Sequence, residues 1–505
     1  MGKNSKIKLL PATVYVVMSL LVLVLMNSLI TTKPITSDAQ QNLRMGYHLY
    51  KHGVISKDGE VTGKPEPTNY REPVPTIVTG LFIYLHPGIN KGDSLASFED
   101  GVNTPKVKQV NLIWLLLLQI GVGLLAFKLS GNKAVPIIAW FLVFYYFIRF
   151  GNHFDEMNTE LACAVFIIWA TYSLWMAIEG GSLYSYAVSG LILGLLILTK
   201  AVFFYVVPII LVCIIIYQYC TKRLQNYALL AGAVLLVITP WMIRNYSIYE
   251  DTSITQRGGS VLYQRAMINQ MTAEEVPGAI YHWGPELYRT LVDLTPFAID
   301  SSEFNPGGAY ERLDRDQVGD SLATERGRPD EAISFFGKTR AEINRLQNVL
   351  GEGDLEGSRR KAFEIMQEEG MDIILDQPFK HAAMSFLFIW RGIWSFPNAT
   401  IPIIKDPLQS IIHNLINLSA YVALFAYLFM GFMRKQSGLF VLSIIPVMMI
   451  LFQAGVSPSL SRFNEPAIPS MIIALSILIH GLYERIVASY PQLNLIASRK
   501  EKQVS

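Results

Sequence analysis

Of 505 residues, 51% are hydrophobic and only 16% charged, a balance that excludes an ordinary soluble enzyme and demands repeated membrane spans. A formal net charge of +2 leaves no dispersed basic surface for nucleic acid. Cys163, Cys213 and Cys220 all lie in or at the ends of apolar runs, so no disulfide framework supports the loops, and no haem, iron–sulfur or zinc spacing occurs.

The first apolar run, Leu10 to Ile30, is long enough to cross a bilayer, since about 20 residues at 1.5 Å rise cover roughly 30 Å. It is too long for a signal-peptide core and lacks a small-residue cleavage site, so it is expected to stay attached. Ser37-Asp38-Ala39-Gln40 follows it within ten residues. Ser37 and Gln40 fit a capping box, predicting a helix to about His52 with Leu43, Tyr47 and Tyr50 on one face and Gly53 as its stop. Asp38 then has two readings. One is a first-turn carboxylate favoured by the helix dipole; the other is a general base that takes a proton from an acceptor hydroxyl.

Asn69-Tyr70-Arg71-Glu72-Pro73-Val74-Pro75 comes next, ahead of an apolar stretch from Thr76 to Leu85 that is too short to span and is expected to lie in the interface. Arg71 could snorkel to lipid head groups, or its planar fork could hold one particular phosphate. Spans are predicted at Val110–Leu129, Ala134–Phe150, Thr159–Ala177, Tyr186–Lys200, Phe203–Cys220 and Ala228–Ile243. Between two of them, the loop Arg149 to Thr159 holds Arg149, His153, Asp155 and Glu156, with Glu160 opening the next span. Charge at a membrane mouth is costly and often functional. Asp155 and Glu156 could hold a divalent metal, although adjacent side chains on a helix diverge by about 100°.

Lys200 and Arg244 are cations at outward ends of spans, against the positive-inside bias. Lipid snorkelling explains Lys200, and interfacial anchoring explains Trp241-Met242-Ile243-Arg244-Asn245-Tyr246, as simply as a shared anionic ligand does. The Gly258-Gly259 pair after Arg257 is too short a signal for a phosphate loop. Glu331–Leu350 and Leu355–Ile374 alternate apolar and charged residues at helical spacing, predicting a small helical subdomain. His381–Trp394, interrupted by Arg391 and followed by Pro397, reads as an interfacial helix, and Asn398-Ala399-Thr400 matches the N-glycosylation pattern. The last spans are Leu408–Phe432, Leu439–Gly455 and Ala467–Tyr483. Arg462 stands just before the final one, within reach of Glu465.

Ten spans put Lys3, Lys6, Lys8, Lys128, Lys133, Lys222, Arg223, Arg434, Lys435, Arg499, Lys500 and Lys502 on one side, which is therefore expected to be cytoplasmic. The segments Thr31–Lys108 and Arg244–Pro407 then face the other side. The expected organisation is a transmembrane catalytic module over 1–243, an outer segment over 244–407 and C-terminal spans over 408–505.

Several of these pieces, in this order, resemble the membrane glycosyltransferases of the C-type fold, especially the dolichyl-phosphate-mannose protein mannosyltransferase and aminoarabinose transferase superfamily. The resemblance rests on Ser37-Asp38 with Gly53, Tyr70-Arg71-Glu72-Pro73-Val74-Pro75, Asn158-Thr159-Glu160, Gly190-Leu191-Ile192-Leu193-Gly194 leading to Thr199-Lys200, Pro240-Trp241 through Tyr246, and Ser461-Arg462-Phe463 before Pro466 and Pro469. It implies an all-α polytopic bundle in which Asp38 has the catalytic acidic role, Arg71 meets the lipid phosphate, and the Asp155–Glu156 loop supplies a second acidic site. Gln40 and Gln41 stand where many relatives carry a second acid, and Glu72 stands where proline is common.

The resulting expectation is transfer of a sugar from a polyprenyl-phosphate donor to a hydroxyl of a glycan, lipid or protein, at the outer face of a bacterial inner membrane. Arg71, Lys200 and Arg244 would meet the leaving phosphate, and Arg149, His153, Glu160 and Arg462 would contact substrate. A flippase for lipid-linked glycans would use similar buried charges, but the repeated halves common in transporters are absent from the sequence. A polymerase or ligase joining larger oligosaccharides would share the chemistry.

Overall fold

The computed structural model describes residues 4–90, 92–149, 155–218, 224–315, 317–351, 355–394 and 407–489. All regular structure among these residues is helical. Each of the ten apolar runs coincides with a helix, and six helices are long and apolar enough to cross a membrane: Thr104–Ser130, Glu160–Gly180, Gln225–Tyr249, Ile411–Met433, Ser437–Val456 and Arg462–Ser489. Tyr15–Ser28, Ala134–Tyr146, Leu183–Ile197 and Phe203–Tyr217 are shorter apolar helices. The chain is a polytopic helical membrane protein. Residues 395–406, including Pro397 and the Asn398-Ala399-Thr400 pattern, lie outside the described residues, as do His153 and Cys220.

Small residues let these helices approach. The Leu183–Ile197 helix packs along the Leu224–Tyr249 helix at Gly190 and Gly194. A Cβ on Gly190 would lie 2.3 Å from the Leu230 carbonyl oxygen, and one on Gly194 would lie 2.6 Å from Val237 Cβ. Lipid is as apolar as leucine, so close backbone packing of this kind, rather than water exclusion, brings membrane helices together. Leu118, Ile168, Leu193, Leu230, Ile445 and Ile473 belong to the resulting core.

Outside the bundle, the Ser37–His52 helix buries Leu43 and Tyr47 against Leu95, Phe98 and Val107, with Tyr50 partly covered. It crosses the Pro73–Leu85 helix at Gly46 and Gly80, where a Cβ on Gly80 would stand 2.9 Å from the Gly46 carbonyl oxygen. Gly53 ends the first helix in the left-handed conformation at φ 68°, as expected. The start differs from the expectation. Thr36 is the N-cap and no side chain caps it; Ser37 itself takes φ 56°, so the capping box with Gln40 does not form. On the Pro73–Leu85 helix, Ile77, Leu81, Tyr84 and Leu85 face outward, the pattern of a helix laid along a membrane surface.

In the segment between the Leu224–Tyr249 and Pro407–Met433 helices, Phe335–Leu350 and Leu355–Asp376 are helices, the first capped by Ser334, whose hydroxyl accepts from Gly337 N–H. Gly258–Met267 packs against Leu355–Asp376 so closely that a Cβ on Gly259 would meet the Phe363 carbonyl oxygen at 1.8 Å. Gly259 therefore serves helix packing, whereas a Cβ on Gly258 would meet nothing within 4 Å. Pro378–Trp394 is a single 17-residue helix with Phe379 and Phe386 exposed. Arg265, fully buried, ties this segment to the bundle: it donates to the carbonyls of Ala454 (3.0 Å) and His381 (3.1 Å), to Ser385 Oγ (3.0 Å) and to Asn269 Oδ1 (2.9 Å). Each donor of a desolvated guanidinium left unmatched would be costly, so this set holds the geometry.

Candidate functional site

Three guanidiniums from three distant segments converge on Asp38. Arg71 donates to one carboxylate oxygen and Arg462 to the other, while Arg257 lies 3.6 Å from the first. Burial by itself would raise the Asp38 carboxyl, but the charges of Arg71, Arg257 and Arg462 reverse this and hold it well below the usual carboxylate range. Burial and then the neighbouring Arg257 press the Arg71 guanidinium below its ordinary value, with Asp38 pulling the other way.

The neighbouring backbone and side chains fix these groups. Gln41 Oε1 accepts from Arg71 Nε at 2.9 Å and Nη2 at 2.7 Å, so this neutral amide orients the arginine fork. Glu72 accepts from Ala201 N–H at 3.1 Å and Val74 N–H donates to the Leu198 carbonyl at 3.1 Å, which clamps the Arg71 segment to the buried turn around Lys200. Ser37 at φ 56° and Ser459 at φ 39° are both non-glycine residues in the left-handed region, one beside Asp38 and one on the segment leading to Arg462. Such strain costs about 1–3 kcal/mol and persists only where surrounding structure enforces it, commonly at functional sites.

The Tyr70 ring gathers cations next to Arg71. Lys57 (4.3 Å), Arg257 (5.1 Å), Arg71 (5.8 Å) and Arg359 (5.9 Å) all approach its ring. Tyr70 also packs on the cluster of Leu346, Ala362, Phe363 and Met366, so the helical subdomain meets the site through this ring.

The other expected residues are distributed differently. Lys200 pairs with Glu160 at 3.1 Å in a buried contact, with Phe463 5.8 Å from its ammonium; it belongs to the layer behind Arg462 rather than to the Asp38 contact. Arg462 pairs with Asp38, where the sequence offered Glu465 as a nearby partner. Arg244 does not join the cluster: it donates to the Thr68 carbonyl (3.1 Å) and Asn245 Oδ1 (2.9 Å) and lies over Trp241 (4.7 Å) and Tyr249 (5.6 Å). Those contacts are internal to the protein, and Trp241 is itself buried with its Nε1 donating to the Ile254 carbonyl at 2.9 Å.

Asp155 accepts from Thr31 N–H at 2.7 Å, from the Thr31 hydroxyl and from Lys108 Nζ at 3.2 Å. Lys108, fully buried, also donates to the carbonyls of Thr31 (3.0 Å) and Lys33 (2.9 Å). Asp155 is thus engaged in holding Thr31 and Lys108 together. Glu156 is exposed and accepts from Asn158 at 2.6 Å. Among the described residues no group of three or more His, Cys, Asp or Glu side chains is placed to hold a metal ion. Arg149 ends its helix, its side chain outside the description, and His153 lies outside it altogether.

No family model and no curated protein sequence matches the chain. Its fold is similar to solved structures of the Archaeoglobus fulgidus oligosaccharyltransferase, all at 12% identity: with Zn and sulfate (TM-score 0.47, 96% of this chain and 51% of that one), in the apo form (0.46, 95% and 52%) and tethered to an acceptor peptide containing the NVT sequon (0.45, 95% and 51%). The chain spans about half the length of that protein.

Arg257, Lys57, Arg359 and Gln41 were not singled out from sequence as site residues. Arg257 precedes a glycine pair, and the only signal for it was a cation on the same outer segment as Arg244. Chemically, the arrangement holds one carboxylate ionised at neutral pH beside three guanidiniums. A second anion, accepted beside Asp38, would complete it.

Proposed function

We propose that the protein is a glycosyltransferase that moves a sugar from a polyprenyl-phosphate-linked donor to a hydroxyl of a glycan, lipid or protein acceptor. The reading places the reaction at the periplasmic face of a bacterial inner membrane. The observation that carries it is the convergence of Arg71, Arg257 and Arg462 on the single carboxylate of Asp38.

A donor phosphate entering this cluster competes with Asp38 for the guanidiniums. As it draws them away, the carboxylate loses the charges that depress its proton affinity and becomes a better base. Asp38 then takes the proton of the acceptor hydroxyl, and the acceptor oxygen attacks the anomeric carbon from the face opposite the phosphate. The bond from that carbon to the phosphate oxygen breaks, its electron pair leaves with the lipid phosphate, and the arginines meet the charge that develops there. Inversion at the anomeric carbon follows from the in-line geometry. Tyr70 and its cations would receive the departing head group.

The test is turnover in proteoliposomes loaded with a polyprenyl-phosphate sugar, comparing the wild type with Asp38→Asn. Transfer should fall by at least about 100-fold in the variant, the scale of a lost general base, and product NMR should show inverted anomeric configuration. Unchanged transfer in Asp38→Asn would remove this role. A flippase would move the donor without releasing polyprenyl phosphate, so release of that lipid separates the two activities.

A further inference from the structure

Large apolar side chains on the Glu286–Asp293 helix and the turn after it are left uncovered. Leu291 is 56% exposed, Leu294 80% and Phe297 81%. Leu291 and Leu294 share a face of the helix, and Phe297 follows in the turn. A single exposed leucine is ordinary on a water-facing surface, but a run of large apolar residues marks a surface that meets something apolar.

The backbone of the turn suits such a surrounding. Thr295 N–H donates to the Val292 carbonyl at 2.9 Å, Phe297 N–H to Thr295 Oγ1 at 3.2 Å and Ala298 N–H to the Thr295 carbonyl at 3.2 Å, while Pro296 has no N–H to satisfy. Asp293 is the single charged residue between Leu291 and Phe297, and its carboxylate accepts from the Tyr281 hydroxyl at 2.7 Å. A turn in water can leave its N–H groups to solvent; one in lipid must satisfy them itself.

The neighbouring Pro378–Trp394 helix sets the level at which this turn stands. Near one end, its Ile393 carbonyl accepts from Asn417 Nδ2 at 2.6 Å; near the other, Arg265 links the His381 carbonyl and Ser385 to the Ala454 carbonyl. Asn417 and Ala454 belong to the Pro407–Met433 and Ser437–Val456 helices, which are joined by the short turn at 434–436. At about 1.5 Å of rise per residue both stand roughly 25 Å from that turn, close to the thickness of a hydrocarbon core. The Pro378–Trp394 helix is therefore fastened near both ends at one height, along the membrane surface. Phe379, Phe386 and Trp390 share one of its faces, with Phe379 and Phe386 exposed. Trp390 meets Tyr288 edge to face at 5.4 Å and donates through Nε1 to the Ile280 carbonyl at 3.0 Å, which joins this helix to the Glu286–Asp293 helix. Tryptophan and tyrosine gather at the level of lipid head groups.

We propose that the Glu286–Asp293 helix and its following turn insert Leu291, Leu294 and Phe297 into the lipid leaflet on this side of the membrane. The partner is the leaflet itself: acyl chains meet the three apolar side chains, and head groups meet Trp390 and Tyr288. The contact holds the segment that carries Arg257 and Arg265 against the bilayer, whatever reaction Asp38 serves.

The experiment is photolabelling of the full-length protein in phosphatidylcholine nanodiscs doped with a phosphatidylcholine whose acyl chain carries a diazirine, followed by peptide mass spectrometry. Label should appear on the peptide that spans Leu291 to Phe297. It should also appear at Leu235 and Leu236, which are exposed on a membrane span and report a correctly embedded protein. In a Leu294→Ser, Phe297→Ser variant, most of the label on the first peptide should be lost while that at Leu235 and Leu236 is kept; both replaced side chains are exposed, so the fold should hold. Label at Leu235 and Leu236 with none between Leu291 and Phe297 overturns the proposal, and so does undiminished label in the variant. Absence of label together with a dimer in native mass spectrometry would make the patch a contact between two copies and overturns it as well. Asp38→Asn should label as the wild type does, so a failure of transfer and a failure of insertion are read separately.

Discussion

The guanidinium of Arg462 donates to the carboxylate of Asp38 across 424 positions of sequence, closing the last helical hairpin of the chain onto the first outer helix. The contact makes Asp38 a junction between the two ends of the chain. Because its folded-state pKa lies below the unfolded value, the cluster's contribution to stability is present above pH about 4 and is lost as the pH falls below it.

Arg257 and Arg244 should separate cleanly. Arg257→Ala removes a cation that faces Asp38 and the Tyr70 ring, so turnover should drop by roughly 10- to 100-fold, as expected for a charged contact of about 1.5–3 kcal/mol. Its melting temperature should change little. Arg244→Ala strips contacts to Thr68, Asn245, Trp241 and Tyr249, so it should lower thermal stability while turnover per folded molecule stays near wild type. The reverse pattern would move the phosphate-binding role back to Arg244.

Asp155 and Lys108 should behave as a structural pair. Lys108 is fully buried and Asp155 is its carboxylate partner; leaving one of two such charges alone costs about 3–5 kcal/mol. Lys108→Met and Asp155→Asn should each lower the melting temperature, and the double variant should lose less than the sum. A collapse of turnover in Asp155→Asn without loss of stability would instead place Asp155 in the chemistry.

Helix approach at Gly190 should be sensitive to volume. With the Leu230 carbonyl oxygen 2.3 Å from its would-be Cβ, Gly190→Leu should destabilise the bundle by about 1–3 kcal/mol or more. Gly232, on the partner helix, has open space around the same position. Gly232→Leu should melt like the wild type, and equal losses in the two variants would argue against the close packing.

Acidification should loosen the outer segment in its own window. Burial, then the charge of Arg265, hold the His381 imidazole down to about 4, whereas an unfolded histidine titrates near 6.5. The unfolded chain therefore takes up the proton first, and stability present above pH about 6.5 should erode as the pH falls toward 4. Melting temperatures of wild type and His381→Gln across pH 4 to 8 check this. Identical slopes in both proteins would mean that His381 contributes nothing to the pH dependence.

The apolar runs were legible because insertion into lipid depends on a local sum of side-chain hydropathies, and the helices at Glu160–Gly180 and Ser437–Val456 follow that sum directly. The same local logic marked Asp38 and Arg71 as ionisable groups in short polar segments beside such runs. It could not select partners. Lys108 read as the end of a polar segment and is the buried partner of Asp155; Arg244 read as one of several cations at outward ends of spans and lies over Trp241 and Tyr249. Arg257 reaches Asp38 from the segment that Arg265 fastens to Ala454, and Arg462 reaches it from the turn before the last long helix. Hydropathy and periodicity are properties of neighbouring residues, so the sequence by itself determined which segments are helical and apolar. The partners of each charge depend on contacts between segments hundreds of residues apart, and those were decided by the tertiary structure alone.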